Sequence, residues 1–272
     1  MTLKDQVAVV TGGGGGLGEG ICLCLAKAGA HVVVSDIKQD LAGAVAAKIR
    51  ALGRKALAVK TDVTDEEQCR ALIEKALQEL GRLDILVCCA GTAGIEFMSP
   101  KEDATALENI PLETWNRTID VNLKGVFLCN RAVIPHFKKQ KRGKIINISS
   151  IAGRQGRELL PVYAASKAGV INLSQAVALQ LAPYHINVNT ICPGLIWTPL
   201  WADGVDFMRR ARPELKDVPP EVAFNLMVQN QVPFKRAQTP EDMGELAVFL
   251  ASDAAKEITG QAINVDGGSI MS

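Results

Sequence analysis

Residues 7–18 read VAVVTGGGGGLG, a short apolar run followed directly by a glycine-rich turn. Apolar residues then recur at helical spacing as far as Gly29, so the segment predicts a strand, a tight turn and a helix. Gly12, Gly16 and Gly18 permit the turn and let the backbone approach a pyrophosphate, whose charge is met by free N–H groups and the positive helix end. The strand before and the helix after favour a dinucleotide-binding turn over a flexible glycine loop.

The rest of the chain repeats this alternation of strand and helix. Seven short runs predict strands at Val7 to Thr11, Val32 to Val34, Ala56 to Val59, Ile85 to Val87, Lys144 to Ile148, Asn187 to Ile191 and Ala262 to Val265. Helical patterns separate them at Leu41 to Leu52, Asp65 to Leu80, Glu113 to Lys139, Val162 to Leu181 and Glu241 to Ala251. Because the runs are apolar without strict alternation, the strands should be parallel and buried on both faces. The sequence predicts an α/β fold, a Rossmann-type doubly wound parallel sheet of seven strands with helices on both faces.

The organisation of the chain favours a single domain over residues 1–272, because no linker rich in Pro, Gly or Ser divides the alternation. Two segments interrupt the alternation of strands and helices. Thr92 to Pro111 is polar and irregular, and Leu200 to Pro233 contains four of the twelve prolines. Since ligands bind at loops that follow the carboxyl ends of strands, we expect both segments to contact substrate, with a lid at about residues 198–233.

Composition excludes several classes of protein. Of 272 residues, 48% are hydrophobic and 22% charged, and the 30 Lys and Arg nearly cancel the 29 Asp and Glu. The composition therefore predicts neither a disordered chain nor a surface that binds nucleic acid or membranes. No apolar run is long enough to span a membrane. The N-terminus lacks a secretory signal pattern. The seven cysteines lie at no zinc spacing, so we expect reduced, mostly buried thiols, no metal site and a cytoplasmic protein.

Asp36 ends the second predicted strand, 20 residues after Gly16. A carboxylate there can accept hydrogen bonds from both ribose hydroxyls of NAD and repels the 2′-phosphate of NADP. No basic residue occupies the glycine turn or position 37, which is Ile37, although Lys38 is close. The sequence therefore favours NAD as the cofactor, and the alternative role for Asp36 is a helix cap.

Tyr163 and Lys167 are four residues apart on a predicted helix, so their side chains face the same way. A lysine ammonium and a cationic nicotinamide ring would together stabilise the tyrosine phenolate, and lowering its pKa by ~3 units takes ~4 kcal/mol. Ser150 follows the Lys144 to Ile148 strand, at the edge of the sheet where the cofactor is expected. The three residues predict a site for proton transfer.

The chain resembles the short-chain dehydrogenase/reductase family over nearly its whole length. The resemblance rests on residues 11–18, 88–91 and 258–268, and on Asp62 with Val63, Asn122, Ser149 with Ser150, Tyr163 with Lys167, and Pro193 and Gly194 followed by Thr198. It implies a catalytic tetrad of Asn122, Ser150, Tyr163 and Lys167. It further implies that Asp62 and Val63 lie against adenine and that Ile196 and Thr198 meet the nicotinamide carboxamide. The cofactor site so implied consists of Gly12, Gly16, Leu17, Gly18, Asp36, Ile37, Asp62, Val63, Ala90, Gly91, Tyr163, Lys167, Pro193, Gly194, Ile196 and Thr198.

Two features depart from the family pattern. Cys88 and Cys89 stand where the family commonly has two asparagines, and Cys89 cannot make the amide hydrogen bonds of an Asn. A disulfide between neighbouring cysteines would be strained, so both are expected to be buried thiols. The segment between Gly91 and Asn122 is several residues longer than usual for the family, so the resemblance does not extend to the substrate.

Taken together, the sequence predicts an NAD(H)-dependent oxidoreductase that interconverts a secondary alcohol and a ketone by hydride transfer. Two alternatives stay open: a 3-oxoacyl thioester reductase, against which Asp36 argues, and a non-catalytic cofactor-sensing protein. The resemblance points to a homotetramer built on two long helices. The candidate interface residues on these helices are Val126, Phe127, Val133, Val170, Leu173 and Val177.

The substrate is expected to be a hydrophobic or cyclic secondary alcohol and not a small sugar. An apolar lid over the site is suggested by Trp197, Trp201, Phe207, Met208, Phe224 and Met227, although these side chains also suit simple packing of lid helices onto the body. A distant anion on the substrate would find basic partners among Arg154, Arg157, Arg209, Arg210 and Arg212, although a solvated basic surface better explains most of these five.

Overall fold

The computed structural model describes residues 2–100, 103–211 and 216–271. Its strands are β1 (Val7–Thr11), β2 (His31–Asp36), β3 (Ala56–Lys60), β4 (Ile85–Cys88), β5 (Gly143–Ile148), β6 (Ile186–Pro193) and β7 (Ala262–Val265). Its helices are α1 (Gly16–Lys27), α2 (Gln39–Ala51), α3 (Glu66–Leu80), α4 (Leu112–Ile119), α5 (Gly125–Gln140), α6 (Pro161–Leu181), α7 (Pro199–Ala211), α8 (Pro220–Gln231) and α9 (Pro240–Ala251).

The seven strands form one sheet in the order β3-β2-β1-β4-β5-β6-β7, and every neighbouring pair is parallel. This confirms the predicted doubly wound, Rossmann-type fold. The order of the strands reverses between β1 and β4, because the chain returns past β1 to begin the second half of the sheet. A crevice opens at the carboxyl ends of strands at such a reversal, which fixes the place where a ligand is expected.

Both faces of the sheet are covered, as the unbroken apolar runs predicted. Along β1, Ala8 and Val10 join the cluster under α1, α2 and α9, while Val7 and Val9 join the cluster under α3, α5 and α6. Alternate residues of a strand point to opposite faces, so one five-residue strand contributes to both cores. Each Val or Ile buried in this way contributes about 1.5–3 kcal/mol relative to its exposed form.

The predicted helix from Glu113 to Lys139 is interrupted in the structure. Helix α4 ends at Ile119, a π-helical turn spans Asp120–Lys124, and α5 begins at Gly125. π-helical turns occur mostly as single turns within α-helices and are frequent at functional sites. Here the turn contains Asn122, whose buried amide bonds the segment after β4.

The two irregular segments pack against each other through α7. In the segment after β4, Met98 and Ala104 form a small apolar cluster with Phe207 of α7. A second cluster holds α7 against α8, with Phe224 at 5.0 Å between ring centroids from Trp197 and 5.7 Å from Trp201. Phe207 and Phe224 are buried, so packing of the lid helices accounts for both, whereas Trp197 stays 37% exposed.

The proposed interface residues need correction. Val126, Val133, Val170 and Val177 are buried in the chain's own core, so they cannot contact a second copy. Leu173 is half-buried, and Phe127 is 45% exposed. The helical pattern could not separate the face that covers the sheet from the outer face, because both carry apolar residues.

All seven cysteines are unpaired. Cys88 is buried as expected, but Cys89 is only half-buried, because it lies at the open edge of the sheet just beyond β4. Burial raises the pKa of the Cys89 thiol to about 12, with Lys167 opposing the shift. Among the helices of the described residues, none combines the length and the apolar character needed to span a membrane.

Candidate active site

The glycine turn after β1 is shaped by close backbone contacts. Gly12 has φ +64°, and a Cβ atom on it would lie 2.7 Å from the α-carbon of Ala90. A Cβ atom on Gly18 would collide with the Gly12 carbonyl. Gly16, with φ +51°, begins α1, so the first free N–H groups of the helix face the crevice. These positions therefore need glycine, which agrees with the sequence prediction.

Asp36 is tied to this turn. Its Oδ2 atom accepts a hydrogen bond of 3.0 Å from the backbone N–H of Gly14, and its Oδ1 atom accepts one of 3.0 Å from the N–H of Lys38. Helix α2 begins after Lys38, and the bond from Gly14 links Asp36 to the glycine turn, so Asp36 is more than a helix cap. Ile37 is 46% exposed. Gly14 was missed by the sequence interpretation, which considered only the outer glycines of the run.

The other predicted cofactor residues lie at the same edge of the sheet. After β3, the Oδ1 atom of Asp62 accepts hydrogen bonds from the N–H and hydroxyl of Thr64, at 2.9 and 2.8 Å. Val63 is only 7% exposed and packs against Gly125 of α5, so little of its side chain is open to a ligand. After β4, the N–H groups of Cys89 and Ala90 both donate to the Thr11 hydroxyl, at 3.2 and 3.4 Å.

The segment after β6 approaches the glycine turn from the other side. Gly194 donates its N–H to the Val265 carbonyl at 3.1 Å, which anchors the segment to β7 just beyond Pro193. Ile196 is buried, and a Cβ atom on Gly16 would lie 3.4 Å from the Cβ atom of Thr198. Leu17 is half-buried.

Ser150, Tyr163 and Lys167 come together at the carboxyl end of β5. The Lys167 ammonium lies 5.7 Å from the centroid of the Tyr163 ring and donates a hydrogen bond of 3.1 Å to the Ile148 carbonyl. The Ser150 hydroxyl accepts a hydrogen bond of 3.0 Å from the N–H of Ala152. Its hydrogen bond to Tyr163 lowers the pKa of the Tyr163 hydroxyl. Gly91 adjoins this group, since a Cβ atom there would lie 3.5 Å from Lys167 Nζ.

Asn122 reaches the same group through its amide. The Oδ1 atom accepts from the N–H of Thr92 at 2.8 Å, and the Nδ2 group donates to the Thr92 carbonyl at 2.9 Å and to the Ser166 hydroxyl at 3.0 Å. Thr92 and Ser166 were not predicted from the sequence, because neither carries a motif of its own. The Asn122 side chain thus joins the π-helical turn to α6 and to the segment after β4.

Burial of Tyr163 and Lys167 shifts the pKa of each side chain towards its neutral form. Burial raises the pKa of the Tyr163 hydroxyl to about 12, against a smaller opposing effect of Ser150. Burial also lowers the pKa of the Lys167 ammonium to about 8. In the chain by itself Lys167 therefore does not lower the pKa of Tyr163 as expected, because desolvation of the phenolate outweighs an ammonium that bonds a carbonyl instead.

Most of the arginines suggested as partners for a substrate anion bind other groups of the protein. Arg154 donates to the Asn264 side chain at 3.0 Å and to the Ala262 carbonyl, so its guanidinium anchors β7. Arg209 and Arg210 pair with Asp206 at 3.7 and 3.0 Å. Arg157 is half-buried, and Arg212 lies outside the described residues. Within the described part of the chain, no three His, Cys, Asp or Glu side chains are grouped to hold a metal ion.

The edge of the sheet fits a dinucleotide. The glycine turn packs closely against Ala90, helix α1 presents its free N–H groups there, and the Asp36 carboxylate stands one strand away. This combination suits a pyrophosphate beside a ribose that carries two free hydroxyls.

Comparison with known proteins agrees with this geometry. The model of the short chain dehydrogenase family matches residues 6–207. Galactitol 2-dehydrogenase of Agrobacterium fabrum is 40% identical over 273 residues, covering 100% of both chains. Cis-4-hydroxycyclohexanecarboxylate dehydrogenase of Sinomonas cyclohexanicum is 37% identical over 264 residues, 97% of this chain and 96% of the relative. The 3-oxoacyl-[acyl-carrier-protein] reductase of Thermotoga maritima is 34% identical over 271 residues, covering 100% of both.

Among solved structures, NAD+-bound xylitol dehydrogenase superposes with a TM-score of 0.89 at 28% sequence identity. The alignment covers 98% of this chain and 100% of that one. The likeness extends over both halves of the sheet and the segments above it.

Proposed function

The chain belongs to the short-chain dehydrogenase/reductase family, and from that premise we propose that it is an NAD(H)-dependent oxidoreductase interconverting a secondary alcohol and a ketone. The observation that carries the proposal is the group formed by Ser150, Tyr163 and Lys167 at the carboxyl end of β5, beside the reversal of strand order. A proton-transferring hydroxyl, a second hydroxyl and a buried cation are the groups that such a reaction needs.

In this proposal NAD is held by the glycine turn and by Asp36, which would accept the ribose hydroxyls. Gly91, Gly194 and Thr198 would line the nicotinamide end. Bound NAD supplies a hydride acceptor and a positively charged ring. Lys167 would bind the nicotinamide ribose, and its charge together with that of the ring would offset the burial that raises the pKa of Tyr163.

The Tyr163 hydroxyl would receive the proton of the alcohol, while Ser150 holds the substrate oxygen through a hydrogen bond. Asn122 would anchor a water that connects Lys167 to solvent. Because its amide already bonds Thr92 and Ser166, we assign this contact to the Asn122 backbone carbonyl, within the π-helical turn.

A 3-oxoacyl thioester reductase is the second candidate, favoured by the relative from Thermotoga maritima. Asp36 argues against it, because reductive biosynthesis usually draws on NADPH and a carboxylate repels the 2′-phosphate. A non-catalytic cofactor sensor is less well supported, since all four tetrad residues are present. The proposal further includes a homotetramer in the cytoplasm, where the unpaired cysteines would stay reduced.

The test is formation of NADH, followed by absorbance, across a panel of neutral secondary alcohols and of 3-hydroxyacyl thioesters. Tyr163→Phe keeps the ring and loses the proton carrier, so turnover should fall by at least ~10²-fold while NAD affinity changes little. Near-normal turnover in Tyr163→Phe would contradict the assignment. A panel on which only thioesters react, with NADP, would establish the second candidate instead.

A further inference from the structure

A short helical turn, residues 151–153, follows Ser150 at the carboxyl end of β5 and leads to Arg154. The Ser150 hydroxyl accepts a hydrogen bond of 3.0 Å from the N–H of Ala152, inside the turn. Arg154 closes the turn, because its N–H donates to the Ile151 carbonyl at 3.1 Å. A backbone group of the turn therefore orients the Ser150 hydroxyl, so a movement of the turn also moves this hydroxyl.

Helix α6 supports the middle of the turn. A Cβ atom on Gly153 would lie 2.6 Å from the backbone carbonyl carbon of Lys167 and 2.8 Å from the backbone nitrogen of Ala168. This close approach limits how far the turn can move towards α6. It does not prevent the turn from moving away from α6, so a second attachment is needed to fix its position.

The side chain of Arg154 provides this attachment on β7. Its Nε group donates to the Oδ1 atom of Asn264 at 3.0 Å, and its Nη2 group donates to the Ala262 carbonyl. Because β6 lies between β5 and β7, the side chain reaches across one strand of the sheet. Burial raises the pKa of the Cys192 thiol on β6 and Arg154 opposes this shift, as expected for a guanidinium that passes beside Cys192.

The acceptor on β7 is itself held in place. The Nδ2 group of Asn264 donates to the Ile270 carbonyl at 3.0 Å. Ile270 in turn donates its N–H to the carboxylate of Asp266 at 2.8 Å, and Asp266 is buried. Since both ends of the Asn264 amide are hydrogen-bonded, its Oδ1 atom offers Arg154 an acceptor at a fixed position.

We propose that Arg154 is a positioning residue, which fastens the turn to β7 and so holds the Ser150 hydroxyl where it bonds Tyr163 and the substrate oxygen. The proposal rests on the proposed function and adds a residue to it. A guanidinium suits this role, because its charged hydrogen bonds are stronger than neutral ones and its planar fork reaches two acceptors. A displacement of about 1 Å near reacting groups can slow a reaction by about 10²-fold, so loss of Arg154 should lower kcat without weakening cofactor binding.

Removal of the guanidinium is the first test. Arg154→Met keeps an aliphatic side chain, and we expect kcat to fall at least ~10-fold while KM for NAD stays within about twofold. Asn264→Leu removes one acceptor and leaves the Ala262 carbonyl, so kcat should fall less. The double variant should lose no more than Arg154→Met alone, because both changes break the same contact. Arg70→Met, which removes a guanidinium paired with glutamates on the surface of α3, should leave kcat unchanged.

Titration of Tyr163 gives a readout that does not need turnover. The chain has two tyrosines, so tyrosinate absorbance in a Tyr184→Phe background reports Tyr163 alone. Because the Ser150 hydroxyl lowers the pKa of Tyr163, Arg154→Met should raise the titration midpoint in the NAD complex by at least ~0.5 pH unit. Ser150→Ala should also raise it, and adding Arg154→Met to Ser150→Ala should raise it no further.

The outcomes separate this proposal from the proposed function. If the unmodified protein oxidises no alcohol, the proposed function fails, and the titration of Tyr163 still decides the role of Arg154. Unchanged kcat in Arg154→Met overturns the proposal, and so does a midpoint that Arg154→Met shifts equally with and without Ser150. Circular dichroism shows whether Arg154→Met folds; if it does not, Asn264→Leu takes its place in both measurements, and an unchanged kcat and midpoint there overturn the proposal.

Discussion

The Lys167 ammonium donates its hydrogen bond to the Ile148 carbonyl, 3.1 Å away, rather than to a carboxylate. A neutral carbonyl compensates only part of the cost of burying a charge, which is why burial lowers the pKa of Lys167 to about 8. The unfolded chain holds this proton up to the ordinary lysine pKa of 10.5. The folded protein therefore carries a stability penalty at neutral pH in order to keep a cation beside Tyr163.

Replacing Lys167 by Met should remove this penalty. Because the folded-state pKa is depressed, the penalty is full below about pH 8 and disappears as the pH rises to 10.5. Lys167→Met should raise the free energy of unfolding by about 2–3 kcal/mol at pH 7 and by little at pH 10.5, while oxidation of alcohol is lost. Denaturant unfolding at both pH values measures this, with Lys75→Met on the exposed face of α3 as control. A destabilised variant at pH 7 would show that the ammonium contributes net stability.

The fold could be predicted because every strand is a short apolar run bounded by turn residues or helices. The glycine turn after β1 identifies the sheet as a dinucleotide-binding one. Helical spacing placed Tyr163 beside Lys167, and Ser150 follows a predicted strand, whereas Asn122 could be placed only through the family resemblance. The π-helical turn at Asn122 has no sequence signal, since its amide bonds Thr92, thirty positions away. The partners of Arg154 could not be predicted, because a charge count cannot reveal a carbonyl acceptor on β7, more than a hundred residues later.

Cofactor choice should depend on Asp36. Asp36→Ala removes an acceptor for the ribose hydroxyls and the repulsion of a 2′-phosphate, and it also frees the Gly14 N–H. We expect the KM for NAD to rise at least ~10-fold and kcat/KM with NADP to improve, since a charge-assisted hydrogen bond is worth about 1.5–3 kcal/mol. Steady-state kinetics with both cofactors measure the shift, and Asp40→Ala, exposed at the start of α2, serves as control. An unmodified enzyme that already prefers NADP would contradict this role.

Assembly should depend on the outer faces of α5 and α6. Phe127 and Leu179 are 45% and 79% exposed, in contrast to the buried valines of the same helices. If these faces pair in a homotetramer, Phe127→Asp with Leu179→Asp buries unpaired charge there and should reduce the mass measured by light scattering to that of a smaller assembly. Leu52→Asp, 44% exposed and just beyond the end of α2, should leave the mass unchanged. A monomer mass for the unmodified protein at micromolar concentration would refute the tetramer.

The lid should depend on the contact between Phe207 and the segment after β4. Phe207 is 4% exposed and packs on Met98 and Ala104, in a cluster apart from the clusters under the sheet. Phe207→Ala leaves a cavity there, and large-to-small changes of this kind cost about 3–5 kcal/mol of local packing. Because the cluster lies outside the main cores, this loss should release the segment rather than unfold the sheet.

We therefore expect Phe207→Ala to raise KM for the alcohol at least ~5-fold while the affinity for NAD stays within about twofold, since the glycine turn is untouched. Limited proteolysis should cut the variant faster between Thr92 and Pro111. Phe234→Ala, 67% exposed, provides the control. Unchanged KM together with faster cleavage would mean that the segment covers the proposed active site without contacting substrate. No change in either measurement would show that the segment and α7 are not coupled.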